Sequence, residues 1–300
     1  MPASPEADYG GVIAFERVRD LARDHDGFIV DQWGVMHDGT KPYAGAIECL
    51  AQLHAAGKHV VVLSNTGRPR VENIRMLAGM GFDARHFDRF VAAGEDAREA
   101  IERRATPFHA KLGRRYYAFT RGDDDVSLVE GIGLERVARV AEADFLIVIG
   151  IDSPRLRVAD YEPQLAEGAA RDLPMICANP DIVRPSPQGL LDAPGALAQR
   201  YEALGGEVFY HGKPHAAIYG SCLAALPGVP KERVVCVGDS IEHDILGASR
   251  AGLKSAFVTG GIHAEDLGAA WGRLPEAAAW EGFAQDVVAR PDYLLPAFVW

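Results

Sequence analysis

Asp31 closes the apolar run of FIVDQWGVMHDG (28–39), and Ser64 closes VVVLS (60–64) with Asn65 and Thr66 behind it. Lys213 sits in HGKPH (211–215), and Asp239 and Asp244 in GDSIEHD (238–244). A carboxylate, a hydroxyl, a lysine and an acidic pair, each just past an apolar run, are the parts needed to transfer a phosphoryl group. The Asp31 carboxylate would attack phosphorus and become an aspartyl-phosphate. Ser64 and a backbone amide would hydrogen-bond the equatorial oxygens, and Lys213 would neutralise charge on the nucleophile and on the group in flight. Asp31 and Asp239 would hold Mg2+, a hard ion that takes carboxylate, carbonyl and water oxygens. Without a cation, converging carboxylates would repel a phosphate. Taken singly, each residue has a plainer use: an Asp after a strand caps a helix or shapes a turn, Ser-Asn-Thr and Asp-Ser are N-caps, and a lysine before proline is a solvated loop residue. Their joint order and shared strand-end placement is much harder to obtain by accident.

The elements that must position these residues read as an α/β fold. Phe15, Val18 and Leu21 have helical spacing within 14–25, ahead of the strand Phe28–Val30. A helix over 44–56, stopped by Gly57, leads to the strand His59–Asn65. Near the C-terminus the rhythm returns: strand 208–214, helix 215–226, strand 233–240, a helix ending at Gly252, and strand 255–261. The two ends of the chain therefore predict one doubly wound parallel sheet, residues 1–82 and 203–300. Residues 83–202 differ in texture and predict a smaller inserted α/β domain. It would contain a helix at 95–104, a short strand at 114–119, an acidic turn at 122–126 followed by a helix, the buried run 143–150 and a strand at 174–180.

Bulk composition narrows the partners. With 300 residues, 48% of them hydrophobic and 24% charged, the chain can bury a full core. A formal charge of −11 argues against nucleic acid or an anionic membrane as partner. It does not exclude a phosphorylated substrate, because a bound metal and a lysine reverse the local field. Cys49, Cys177, Cys222 and Cys236 are far apart and lie in or beside apolar runs, which predicts buried free thiols in a reducing cytosol. MPASPEADYGG has neither a basic nor an apolar leader region, so no signal peptide is expected, and no apolar run reaches membrane-spanning length. A cytoplasmic location follows as the expectation.

On DQWGVMHDG, LSNTGRPR, GKPHAAIY and VGDSIEHDILGASRAG, the chain resembles the haloacid dehalogenase superfamily, specifically its class IIA branch. TGGIH (259–263) and PDYLLP (291–296) resemble the branch's C-terminal end. ICANPDIVRPSPQG (176–189) is similar to the Asn-Pro-Asp segment of the inserted cap, which faces the core site and helps choose the substrate. The resemblance implies a Rossmann-like core with a capping α/β domain and a Mg2+-dependent hydrolase of a small phosphorylated metabolite, of sugar phosphate or nucleotide class. It makes Asp31, Ser64, Lys213 and Asp244 catalytic, and Asn65, Asn179 and Asp181 candidates for touching substrate. The plainer use of Asn179 and Asp181 is to stabilise a Pro-rich turn. A homodimer joined through the caps would suit the class.

One position departs from the branch's phosphatases, which carry a second aspartate two residues after the nucleophile as general acid and then base. Here it is Trp33, as in a group of similar bacterial proteins. The family uses this residue's backbone carbonyl as a metal ligand, which tryptophan supplies, so the metal set is Asp31, Trp33 and Asp239. What is lost is proton transfer, worth about 10²–10⁴-fold. Trp33 could instead stack on a sugar or base ring. His37, Asp38 and His243 are candidates to replace the acid, against the simpler view that the first two shape the loop and the third sits in a helix's first turn. His211 and His215 flank Lys213 and line its loop. The alternative function is a binding or regulatory protein that kept the phosphate-and-metal pocket without turnover. Phosphorus–carbon bond cleavage would need an imine-forming cap lysine, and Lys111 is the only lysine between 83 and 202. A receiver-type signalling domain would place its acidic pair before the nucleophile, whereas here the pair comes last.

Overall fold

In a computed structural model, which describes residues 8–122, 128–186 and 189–300, the strand Gly27–Asp31 lies inside a seven-stranded sheet and is buried along its whole length. Burial on both faces is what a continuous apolar run such as Phe28-Ile29-Val30 is suited to. The strand order is Ile13–Ala14, Tyr293–Leu295, Lys254–Val258, Val234–Gly238, Gly27–Asp31, His59–Ser64, Arg89–Ala92. Gly27–Asp31 runs parallel to both its neighbours, Val234–Gly238 and His59–Ser64. From Gly27–Asp31 the chain moves outward through 59–64 to 89–92. It later re-enters on the other side at 234–238 and moves outward to 254–258 and 293–295. The winding therefore reverses between Gly27–Asp31 and Val234–Gly238, the switch point beyond whose carboxyl ends open α/β sheets hold their ligands.

The chain divides into two compact units, one of residues 1–64, 73–91 and 214–300, the other of residues 65–72 and 92–213. The second unit has its own parallel sheet, in the order Val208–Tyr210, Met175–Cys177, Phe145–Val148, Arg115–Phe119, Glu135–Arg136. Val183–Ser186 and Gly189–Asp192 pair antiparallel beside it in sequence. Its interior holds fully buried Phe145, Leu146, Ile147, Val148, Leu197 and Tyr201, and each such side chain contributes roughly 1.5–3 kcal/mol of hydrophobic stabilisation. Boundaries expected near 82 and 202 thus fall at 91 and 213, with 65–72 added. The reason is strand pairing. Arg89–Ala92 extends the first sheet, and Val208–Tyr210, expected in that sheet, pairs instead with Met175–Cys177.

Of two helices expected from the sequence, one is shorter than read and the other is not found among the described residues. The helix at 14–25 is only Val18–Leu21, because Ile13–Ala14 pairs with the sheet edge and Phe15 N–H donates to Leu294 O at 2.9 Å. Between 128 and 142 there is no α-helix; Glu135–Arg136 is a strand and Val140–Glu142 a 3-10 turn. The acidic turn at 122–126 lies, apart from Gly122, outside the described residues. The four cysteines are buried and none is in a disulfide, and burial pushes the Cys177 thiol up to about 12. Among the described residues no helix is long and apolar enough to cross a membrane.

Candidate active site

Asp31 is the last residue of its strand and Asp239 follows the last residue of the neighbouring one, so the two parallel strands deliver both carboxylates to one end of the sheet. Asp244 joins them from the turn Ile241–Ile245, which has π-helical geometry, a form frequent at functional sites. One oxygen from each of Asp31, Asp239 and Asp244 lies within 4.8 Å of the others, and all three residues are buried. The cluster is built by backbone. Ser240 N–H donates to Asp244 Oδ2 at 3.1 Å, and Ile262 N–H donates to Asp239 Oδ2 at 2.7 Å. Ser240 caps the turn, its hydroxyl accepting from His243 N–H at 3.2 Å and contacting His243 Nδ1 at 3.0 Å. Beneath, the buried Tyr219 hydroxyl faces the carbonyls of His243 and Asp244 at 3.5 and 3.4 Å, and burial keeps it protonated. A Cβ on Gly34 would stand 1.9 Å from Asp239 Oδ2, at a φ of +90° that L side chains avoid, so only glycine lets the loop close over the acids.

Three hard, buried oxygen donors close to one another are the donor chemistry of a site for a hard divalent cation. Octahedral ligands at ~2.1 Å from such an ion stand roughly 3–4 Å apart. Oxygens within 4.8 Å of one another place the three carboxylates where they could converge on such an ion.

The loop after Asp31 is tightly turned: Met36 N–H and His37 N–H both donate to Gln32 O, and Gly34 N–H donates to His37 O at 2.9 Å. His37 is buried, and its Nδ1 accepts from Gly39 N–H at 2.9 Å. Burial holds its pKa down, only partly offset by Asp38, so the ring is neutral with its proton on Nε2. Asp38 accepts from Thr40 N–H, Thr40 Oγ1–H and Lys41 N–H, contacts that lower its pKa to about 2. Both side chains take part in shaping the loop, and neither is a charged or carboxylic acid ready to give a proton: His37 is a neutral imidazole and Asp38 is ionised. Trp33 is 37% exposed, with its Nε1 3.0 Å from where a Gly39 Cβ would stand. Ser64 ends its strand as expected and is buried. Its partner is a residue the sequence did not single out: buried Gln32 donates from Nε2 to Ser64 Oγ at 2.8 Å.

Lys213, expected on the same sheet as Asp31, belongs to the second unit and follows the strand Val208–Tyr210. It is buried, and Asn65 clamps its backbone: Lys213 N–H donates to Asn65 Oδ1 at 2.7 Å and Asn65 Nδ2 donates to Lys213 O at 3.0 Å. The same Nδ2 donates to Asp181 Oδ1 at 2.8 Å, and Asp181 N–H donates to Asn179 Oδ1 at 3.0 Å. Asn65, Asn179 and Asp181, expected against substrate, are thus tied to one another and to the lysine's backbone. Lys111 is ion-paired with Glu207 and lies over the Phe108 ring at 4.6 Å, with 45% of its side chain exposed. It is not the desolvated amine that an imine mechanism requires.

His211, expected merely to line the loop, is buried in a chain of hydrogen bonds. Its Nδ1 contacts Asp96 Oδ2 at 2.6 Å and its Nε2 contacts His109 Nε2 at 3.1 Å, while His109 Nδ1 contacts Thr106 Oγ1 at 2.7 Å. One proton arrangement satisfies all three contacts with neutral rings: Thr106 donates to His109, His109 to His211, and His211 to Asp96. Burial, with smaller contributions from His211 and Arg104 that outweigh Asp96, lowers the His109 pKa to about 4. In the unfolded chain a histidine titrates near ~6.5. Between those values the unfolded state binds the proton and the native state does not, so stability falls as pH drops from 6.5 towards 4. The loss is about 3 kcal/mol. Urea unfolding of wild type and His109→Gln at pH 7 and pH 4 should show a shallower pH dependence in the variant by that amount.

Residues 28–135 match a family model described as haloacid dehalogenase-like hydrolase, and residues 210–285 one described as HAD-hydrolase-like. The chain is 26% identical to the D-glycerol 3-phosphate phosphatase of Mycobacterium tuberculosis over 92% of its own length and 71% of that protein. A haloacid dehalogenase-like hydrolase from Brucella suis has the same fold with a TM-score of 0.77 at 29% identity, covering 94% of this chain and 99% of that one. A glycerol phosphate phosphatase of Mycobacterium tuberculosis, solved in complex with magnesium, matches with a TM-score of 0.62 at 25% identity over 87% of this chain and 77% of that one.

Proposed function

We propose, given that this chain belongs to the haloacid dehalogenase-like hydrolases of the class IIA branch, that it is a Mg2+-dependent phosphatase of small phosphorylated metabolites. The observation that carries this reading is the convergence of buried Asp31, Asp239 and Asp244 at the switch point of the parallel sheet. Asp31 Oδ attacks phosphorus, the bond from phosphorus to the ester oxygen breaks, and the electron pair leaves on that oxygen. Water then attacks the aspartyl-phosphate, releasing inorganic phosphate and restoring the carboxylate. Ser64 Oγ–H donates to an equatorial oxygen as charge builds there, an interaction whose loss typically costs about 10²–10³-fold. Lys213 is assigned to the same charge from its motif. Asp31, Asp239 and Asp244, with the Trp33 carbonyl, would hold the cation, which supplies Lewis-acid neutralisation of the phosphoryl oxygens when bound.

The relative that acts on D-glycerol 3-phosphate supports a three-carbon polyol phosphate as the first substrate to try. Phosphate release from a panel of phosphomonoesters, with magnesium and then with excess chelator, tests the reading. Turnover should fall to background on chelation and return with added Mg2+. Release from no ester, or release indifferent to chelator, would sink it. Trp33 in the place of the acid favours one other reading, a phosphate-binding protein without turnover, which the Trp33→Asp experiment below separates.

A further inference from the structure

Gln32 stands between two residues with assigned roles and has none itself, yet it is buried and points its amide nitrogen at Ser64 Oγ, 2.8 Å away. Register explains the pairing: Asp31 is opposite Leu63 on the adjacent parallel strand, so the next residues along the two segments, Gln32 and Ser64, meet at the end of the sheet. A hydroxyl has one proton and two lone pairs. Where the Gln32 N–H occupies a lone pair, the Ser64 proton cannot point back at that nitrogen and must be donated elsewhere. The other end of the amide, Oε1, is buried with no hydrogen-bond partner among the described residues. An apolar residue of similar size would avoid that unmet acceptor, whose desolvation costs about 1–3 kcal/mol. A buried acceptor left unmet beside the nucleophile is not explained by packing and calls for another role.

We propose that Gln32 is a positioning residue for phosphoryl transfer. Its N–H fixes the Ser64 hydroxyl rotor so that the Ser64 proton is donated to an equatorial oxygen of the transferring phosphoryl group. The assignment rests on the phosphatase reading above and adds to it the group that orients the serine. Accepting a hydrogen bond also polarises the Ser64 O–H and strengthens it as a donor, as in any hydrogen-bonded chain. The effect appears where negative charge develops, so it belongs to kcat more than to KM.

The test is a double-mutant cycle on kcat and KM with a phosphomonoester, using wild type, Gln32→Met, Ser64→Ala and the double variant. Orthovanadate affinity is measured in parallel as a readout that needs no turnover. Gln32→Met is expected to lower kcat about tenfold with KM within twofold, and to weaken vanadate binding in proportion. In the Ser64→Ala background the same substitution should cost less than twofold, because the hydroxyl it orients is gone. An undiminished tenfold loss in that background, or no loss in either, overturns the assignment. Thermal unfolding identifies a variant that has failed to fold, and Gln32→Leu then replaces Gln32→Met in the same cycle. Wild type that neither turns over nor binds vanadate would bring down the phosphatase reading and this assignment with it. Active wild type with an additive cycle brings down the assignment alone.

Discussion

Replacing Asp31 with asparagine is expected to reduce phosphate release by at least about 10⁴-fold, because the amide oxygen has no charge to drive attack on phosphorus. Asparagine keeps the shape of the side chain and one oxygen towards Asp239 and Asp244, so the sheet end that carries them is preserved. The loss therefore separates from unfolding, which is monitored by the denaturation midpoint. Asp31 is also expected to hold the cation, and calorimetric titration with Mg2+ shows how much of the loss is weakened metal binding. Rapid acid quench of the wild type during turnover should leave a phosphoryl adduct on the peptide containing Asp31. Equal turnover by wild type and Asp31→Asn would end the covalent mechanism.

Trp33→Asp is expected to act in the opposite direction, raising hydrolysis of an alkyl phosphate by about 10²-fold or more, within the range that a positioned acid contributes. The chain lacks a protonated group at that place in its loop: His37 is buried and neutral, and Asp38 is held ionised by Thr40 and Lys41. An alkoxide leaving group needs the proton, whereas p-nitrophenolate leaves without it. The gain should therefore be large for glycerol 3-phosphate and small for p-nitrophenyl phosphate. Trp33 is 37% exposed, so the substitution removes little core packing. A wild type that binds phosphate esters without turnover, joined to a Trp33→Asp variant equally inert, would favour the binding-protein reading.

Much of the acidic site was legible in the sequence because each part is a local pattern. Phe28-Ile29-Val30 before Asp31, and Val234–Val237 before Gly238 and Asp239, are short apolar runs rich in β-branched residues that suit a strand buried on both faces, and each leads to an aspartate. Ser64 follows by the same logic. The recurring strand–helix rhythm predicts a single sheet for both ends of the chain, and the pairing of strands in the structure brings Asp239 beside Asp31, 208 positions away in sequence.

What tertiary pairing alone decided lies where the local pattern is weak. Val208–Tyr210 is a half-buried strand of three residues that either sheet could take; pairing with Met175–Cys177 assigned it, and Lys213, to the second unit. His109, His211 and Asp96 read as isolated polar residues and meet only because the second unit folds segments about 100 residues apart onto one another. Gln32 escaped notice for a related reason, since its partner depends on the register of two strands and register is set by packing of whole faces rather than by neighbours in the chain. Residue type and strand-end position could thus specify the chemistry of this protein from local free energies. The partners that hold each group in place were chosen by long-range contacts, whose energies no local window contains.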